Sequence, residues 1–154
     1  MIDPEFIIPF TISNIVSVAL LISAYKWPRI ARILFVLIFL VAGLFNIFTA
    51  MTEPEAYLIY GDMAVLEIYR HFIHGIFSKY TQEIVLAIAL GQLCVAALLN
   101  FKGKLLRLGV IGGVIFFIAI IPLGVGSAFP ATLLMAIALI TMHYLLVKKR
   151  DKDT

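Results

Sequence analysis

The chain has 154 residues, of which 63% are hydrophobic and only 14% are charged. About a quarter of the residues of a soluble domain are charged, so this composition excludes an ordinary water-soluble fold and indicates lipid as the main solvent. The net charge of +3 comes from short clusters between apolar blocks. No basic patch is interleaved with aromatic residues, so the charge does not indicate binding to nucleic acid.

Five apolar segments follow one another along the chain, each long enough to cross a bilayer as a helix. Their approximate bounds are 6–25, 30–51, 82–101, 108–125 and 130–147. None of them alternates between apolar and polar residues, as the strands of a membrane barrel do. We therefore predict an all-α membrane bundle, a single domain over residues 1–154 with five transmembrane helices.

The basic residues cluster in three places that the five spans bring to one side of the membrane. The turn at 26–32 and the turn at 102–107 each carry three basic residues and no acid, and the tail from residue 148 begins with three more. The positive-inside rule assigns that side to the cytoplasm. We predict a multi-pass protein of the cell (plasma or inner) membrane, with the N-terminus and residues 52–80 outside and the C-terminus inside.

Residues 62–78 differ from the other segments because their pattern is amphipathic. Polar side chains recur at spacings of three and four residues, which places them on one face of a helix. These are Glu67, Arg70, His71, His74 and Ser78. The opposite face is apolar, as is typical of a helix that lies along a membrane interface. We predict such a helix over 62–78, on the outer side.

The polar face of this helix is the first candidate site. Glu67, His71 and His74 follow one another at i, i+4 and i+7, a spacing at which carboxylate and imidazole groups can reach one metal ion. Any interfacial helix shows water a similar pattern, so we assign no metal site. Two alternatives stay open: the face contacts a ligand over a cavity, or water solvates it.

Glu83, near the start of the third span, has two interpretations. It is either an interfacial carboxylate favoured by the helix N-terminus, or a buried carboxylate that pairs with Arg70, a histidine or Asn46 at the outer end of the second span. Gln92 lies nine residues after Glu83, half a turn around a straight helix. We therefore expect Gln92 to hydrogen-bond a neighbouring helix or a second copy of the chain.

Several short motifs resemble those of the DoxX family of small bacterial membrane proteins. They are R-x-x-R-x-L-F from Arg29, A-G-L-F-N-I-F ending at Phe48, Gln82-Glu83 opening a span that ends A-A-L-L, and G-V-I-G-G after a basic turn. The similarity covers spans two to five. The chain departs from the family in its additional N-terminal helix and in Asn46, where such proteins often have lysine.

The resemblance implies a four-helix core and a link to respiratory or thiol redox systems, in some members as a quinone-reducing subunit. One hypothesis is a redox-system protein that binds a quinone or similar lipophile in an outward-facing pocket, with Glu83 and a histidine handling protons. The alternative is a non-catalytic membrane subunit or scaffold, whose outer helix docks a membrane or periplasmic protein. The sequence contains no Walker, G-x-S-x-G, H-E-x-x-H or C-x-x-C motif. Enzymatic activity and pairing between copies of the chain stay open.

Overall fold

A computed structural model describes the backbone of residues 4–150 and the side chains of residues 7–149. Over this range the chain forms seven α-helices and no strand, which confirms the all-α prediction. The helices are α1 (Pro4–Lys26), α2 (Pro28–Thr52), α3 (Ile59–Met63), α4 (Glu67–Phe72), α5 (Thr81–Leu98), α6 (Lys104–Ile120) and α7 (Ala131–Arg150). Two 3₁₀ segments, Pro54–Tyr57 and Ile121–Ser127, and a π-helical turn, Ile73–Phe77, complete the helical elements. The described side chains do not include two carboxylates near the N-terminus, Asp3 and Glu5, or the part of the basic tail after Lys149.

Five helices are long and apolar enough to cross a membrane, as predicted. Their spans are Ile7–Lys26, Pro28–Thr52, Thr81–Leu98, Lys104–Ser127 and Ala131–Lys149. Only 22% to 33% of the residues in the apolar window of each span are buried inside the protein. The other side chains of the spans, which are mostly large and apolar, need lipid to cover them.

The bundle is built from two closely packed helix pairs, α2 with α5 and α1 with α7, with α6 between α5 and α7. Phe35, Phe39 and Phe117 meet at the centre, and the rings of Phe39 and Phe117 lie 5.2 Å apart between centroids. Leu139 and Met142 of α7 complete this core and are fully buried. These large side chains are the ones that the lipid does not reach.

Two glycines of α6 allow the helices to approach closely, as the G-x-x-x-G spacing predicts. A Cβ atom on Gly109 would lie 3.0 Å from the backbone nitrogen of Leu99, the residue that follows α5. A Cβ atom on Gly113 would lie 2.6 Å from Leu139 Cδ2 in α7. Because the two glycines face different helices of the same chain, the motif is used inside the bundle.

The side chain of Arg32 joins two of the basic turns. Its Nε donates to the carbonyl oxygen of Leu99, and its Nη2 donates to that of Phe101 at 2.9 Å. The turns at 26–32 and 102–107 therefore lie at one end of the bundle, termed the basic end. The side of the membrane that this end faces stays a prediction.

Residues 53–80, termed the cap, cover the opposite end of the bundle, and here the prediction of one helix over 62–78 is wrong. Helix α3 ends at Met63, Ala64 and Leu66 have extended backbone angles, and α4 begins only at Glu67. The cause is a distant partner: the N–H of Val65 donates to the carbonyl of Pro122, at 2.8 Å.

The amphipathic pattern does hold from α4 onward. Ile73 and Phe77 of the cap are buried against Ala50 and Val85, whereas Glu67 and His71 are exposed. The cap is also attached through Tyr69, whose hydroxyl donates to the carbonyl of Ala119 at 2.6 Å. The cap thus makes hydrogen bonds to the end of α6 as well as covalent connections to α2 and α5.

Candidate functional site

Three polar side chains form a hydrogen-bonded chain that runs from the cap into the contact between α2 and α5. The hydroxyl of Tyr57 donates to Asn46 Oδ1 at 2.8 Å, and Asn46 Nδ2 donates to Gln92 Oε1 at 2.7 Å. Gln92 is only 4% exposed. A polar group at this depth has no water to bond, so a partner on a neighbouring helix is needed. The prediction that Gln92 bonds a neighbouring helix is confirmed.

A second tyrosine, Tyr60, lies next to Tyr57 in the cap. The rings of Tyr57 and Tyr60 lie 6.1 Å apart between centroids. Burial raises the pKa of Tyr60 above the usual 10.0, and burial is also the largest cause of the raised pKa of Tyr57. Both phenols are therefore protonated at neutral pH and can donate a hydrogen bond.

Tyr60 lines a cavity of about 320 Å³ between α1 and the 3₁₀ segment after α6. Its lining consists of Pro9, Phe10, Ser13, Tyr60, Val125, Gly126 and Ala128. The absence of a side chain at Gly126 makes room for the tyrosine, since a Cβ atom there would lie 2.5 Å from the ring. Ligand pockets usually measure roughly 300–1,000 Å³, so this cavity suits a single-ring headgroup.

The carboxylates and histidines of the predicted cap face are not part of this cavity. His71 Nε2 lies 3.8 Å from Glu67 Oε1, and these side chains are 80% and 75% exposed. His74 Nε2 lies 3.1 Å from Asp62 Oδ1, also with substantial exposure. Within the part of the chain that the structure describes, no three His, Cys, Asp or Glu residues are grouped to hold a metal ion. The structure therefore favours the solvated alternative for this face.

The other predicted site residues are spread over three places. Glu83 is exposed in the first turn of α5, which favours the interfacial interpretation, and Asn46 meets Gln92 instead of Glu83. Arg70 Nη2 donates to the carbonyl of Ala64 at 3.2 Å and so stabilises the extended segment before α4. Of the predicted residues, only Asn46 belongs to the buried chain. A ligand-binding role for the others stays a prediction.

Sequence reasoning missed three residues of the site: Tyr57, Tyr60 and Ser13. A signal for two of them was present, since Tyr57 and Tyr60 are spaced i, i+3 just after the second span. Ser13 is one of the few polar residues of the first span. Nothing in the pattern shows that these segments meet, because the cavity needs the turn after α6 as its third wall.

Comparisons of the chain with protein-family models, with curated proteins and with solved structures found no significant match. The similarity to the DoxX family therefore rests on the short motifs quoted above and stays a prediction.

Proposed function

We propose that this protein is a DoxX-like, multi-pass membrane protein that binds a quinone, or another lipophile with a carbonyl group, at the cap end of the bundle. The observation that carries the proposal is the position of Tyr60 beside the cavity. Its protonated phenol borders a cavity, and its ring lies 6.1 Å from that of Tyr57, the first member of the polar chain. The redox link that the DoxX-like motifs imply agrees with a ligand of this class.

The cavity has the two kinds of surface that a quinone headgroup needs. Pro9, Phe10 and Val125 line the cavity with apolar groups for the ring. Tyr60 and Ser13 also line it, and their hydroxyl groups would donate to the carbonyl oxygens of the ligand. A hydrophobic tail would continue along α1, where Ile12 is 55% exposed. Such a ligand could enter sideways from the bilayer without crossing water.

The role proposed for the pocket is hydrogen bonding and not proton transfer. The hypothesis drawn from the sequence gave proton handling to Glu83 and a histidine. In the structure Glu83, His71 and His74 are exposed, and none of them lines the cavity. Tyr60 is the group that would orient the ligand carbonyl.

Titration of a short-tailed benzoquinone into protein in lipid nanodiscs, followed by calorimetry, tests this function. We expect saturable binding that Tyr60→Phe weakens by about two- to tenfold, because one hydrogen bond contributes roughly 0.5–1.5 kcal/mol. Gly126→Ala should also weaken binding, since the new Cβ atom would displace the Tyr60 ring.

Tyr80→Phe is the matched control, because Tyr80 is an exposed tyrosine that does not line the cavity. Glu83→Gln, which tests the earlier hypothesis, should leave binding unchanged. A wild-type protein that binds no quinone would contradict the proposed function. Equal affinities for the Tyr60→Phe variant and the wild type would contradict the proposed pocket.

We also propose that the basic end faces the cytoplasm and the cap faces outward, from the positive-inside rule. Single cysteines introduced at two exposed positions, Glu55→Cys in the cap and Lys102→Cys at the basic end, test this in a Cys94→Ala background. A membrane-impermeant maleimide applied to intact cells should label the first variant only. Labelling of the second variant alone would show the opposite orientation.

The alternative function, a non-catalytic subunit that docks a partner through the cap, has one observation in its favour. Val65, Ile68 and Ile76 of the cap are 74%, 72% and 63% exposed. Gly109 and Gly113 of α6 give it no support, because both make contacts inside the chain. An environment-sensitive fluorophore attached at position 68 distinguishes the two coverings of this surface. An apolar signal in nanodiscs that contain only lipid would show that lipid covers Ile68. An aqueous signal in those nanodiscs, together with an apolar signal in native membranes, would favour a protein partner.

A further inference from the structure

A second groove lies at the basic end, remote from the cap and from the proposed quinone pocket. It measures about 340 Å³ and is formed by α1 and α7, with Leu21, Ile22, Tyr25, Lys26 and Thr141 as its lining. Thr141 donates its hydroxyl to the carbonyl of Ile137 at 2.9 Å, so its hydrogen-bonding capacity is used within α7. The groove is thus apolar along its length, with Lys26 and Tyr25 as the polar groups at its mouth.

The charge around the mouth is uniformly positive. The described part of this end carries eight basic side chains and no carboxylate, namely Lys26, Arg29, Arg32, Lys102, Lys104, Arg107, Lys148 and Lys149. The salt bridges of the described residues all involve histidine, so Lys26 has no carboxylate partner there. An anion would complement this surface, whereas a cationic or neutral headgroup would not.

Aromatic residues place the mouth at the depth of lipid headgroups. Tyr25 is 72% exposed and Trp27 is 56% exposed, as is typical of tyrosine and tryptophan at a membrane–water boundary. Lys26 Nζ lies 6.0 Å from the centre of the Trp27 ring, a contact that leaves its N–H groups open to an anion. The ammonium group is therefore at the level where phospholipid phosphates lie.

We propose that this groove binds one anionic phospholipid, with an acyl chain between α1 and α7 and the phosphate on Lys26 Nζ and Tyr25 Oη. Basic pockets between transmembrane helices are suited to such headgroups. The proposal needs neither the cavity beside Tyr60 nor a particular orientation in the membrane. Its failure would therefore leave the proposed function untouched.

Native mass spectrometry of the protein released from nanodiscs of phosphatidylcholine and phosphatidylglycerol tests the proposal. We expect one phosphatidylglycerol molecule to be retained in preference to phosphatidylcholine. Lys26→Gln should lower that retention by about fivefold, the effect of one lysine near an anionic headgroup. Thr141→Phe, which fills the groove and keeps every charge, should lower it as well.

Lys102→Gln is the matched control, because it removes the same charge from the same end without touching the groove. Retention should be unchanged in this variant, and circular dichroism should show the same helicity in all three. Equal losses in Lys26→Gln and Lys102→Gln would overturn the proposal in favour of diffuse attraction. Undiminished retention in Thr141→Phe would also overturn it, as would displacement of the lipid by soluble glycerol phosphate.

Discussion

Asn46 and Gln92, between α2 and α5, can be compared with Glu67 and His71 on the cap. Both pairs join polar residues of helices, but the first pair is hydrogen-bonded at 2.7 Å, with Gln92 buried and Asn46 half-buried. The second pair is 3.8 Å apart and mostly exposed. Water can replace a partner on the cap, and nothing can replace it between the helices. The less conspicuous amide pair is therefore the more constrained of the two.

The difference in burial between the two pairs should appear as a difference in their contributions to the free energy of unfolding. Hydrogen bonds between transmembrane helices average about 0.6 kcal/mol and reach about 1.7 kcal/mol. Exposed pairs on a helix surface contribute roughly 0.2–0.5 kcal/mol. Variants in the two regions should therefore rank by depth and not by formal charge.

A side chain added where α6 packs against the end of α5 is expected to have the largest effect. The Cβ atom of Gly109→Ala would lie 2.9 Å from Leu98 Cβ and 3.0 Å from Leu99 N, where backbone cannot give way easily. We expect the free energy of unfolding in mixed detergent micelles to fall by about 1–3 kcal/mol. Gly91→Ala is the control, because nothing lies within 4 Å of its new Cβ atom. Similar losses in both variants would show that close helix packing is not the cause.

Breaking the buried polar chain should come next. Asn46→Ala removes both the acceptor of the Tyr57 hydroxyl and the donor to Gln92 Oε1. We expect a loss of about 1–2 kcal/mol in the free energy of unfolding. His71→Ala, at an 80% exposed side chain, should be close to neutral under the same conditions. If His71→Ala cost as much, depth would not be what separates the two regions.

Alkaline pH provides a milder perturbation of the buried tyrosines. Burial raises the pKa of Tyr57 and Tyr60 in the folded protein above 10.0. Their contribution to stability is therefore complete below pH 10 and is lost as the pH rises through the raised values. Tyrosinate absorbance should show a late ionisation phase that is smaller in Tyr60→Phe and absent from the unfolded protein. An unchanged late phase in Tyr60→Phe would contradict this assignment.

The smallest effect is expected on the exposed face of the cap. Glu67→Gln should change the free energy of unfolding by less than about 0.5 kcal/mol, because its contact with His71 is long and solvated. Asp62→Asn removes the carboxylate charge from the shorter contact of 3.1 Å to His74, and its effect should lie between those of Glu67→Gln and Asn46→Ala. A loss above 1 kcal/mol for Glu67→Gln would mean that water does not solvate this face.

Local properties of the sequence were enough to predict the bundle. The five spans follow from the length of the apolar runs, and the basic end follows from charge counts, which the bonds of Arg32 to Leu99 and Phe101 support. The expected bond of Gln92 to another helix followed from its position within the third span, half a turn around the helix from Glu83. Its partner Asn46 did not, because periodicity does not specify which faces of two helices meet.

The site depends on contacts between distant parts of the chain. The break in the cap arises from a bond between Val65 and Pro122, and no local propensity indicates it. The cavity joins Ser13 and Tyr60 with Gly126, which come from three separate segments. The charged and histidine residues that stood out in the sequence, Glu67, His71, His74 and Glu83, are exposed. The residues around the cavity were inconspicuous because tyrosine, serine and glycine also occur in ordinary membrane helices.

The attachment of the cap has a mechanical consequence. The cap is covalently joined to α2 and α5, but Val65 hydrogen-bonds to Pro122, in the 3₁₀ segment after α6, and Tyr69 hydrogen-bonds to Ala119, in the last turn of α6. A tilt of α6 must therefore either break these hydrogen bonds or move the cap with it. In the second case the gap between Tyr60 and α1 would widen or narrow, which couples access to the cavity with the angle of a helix that does not line it.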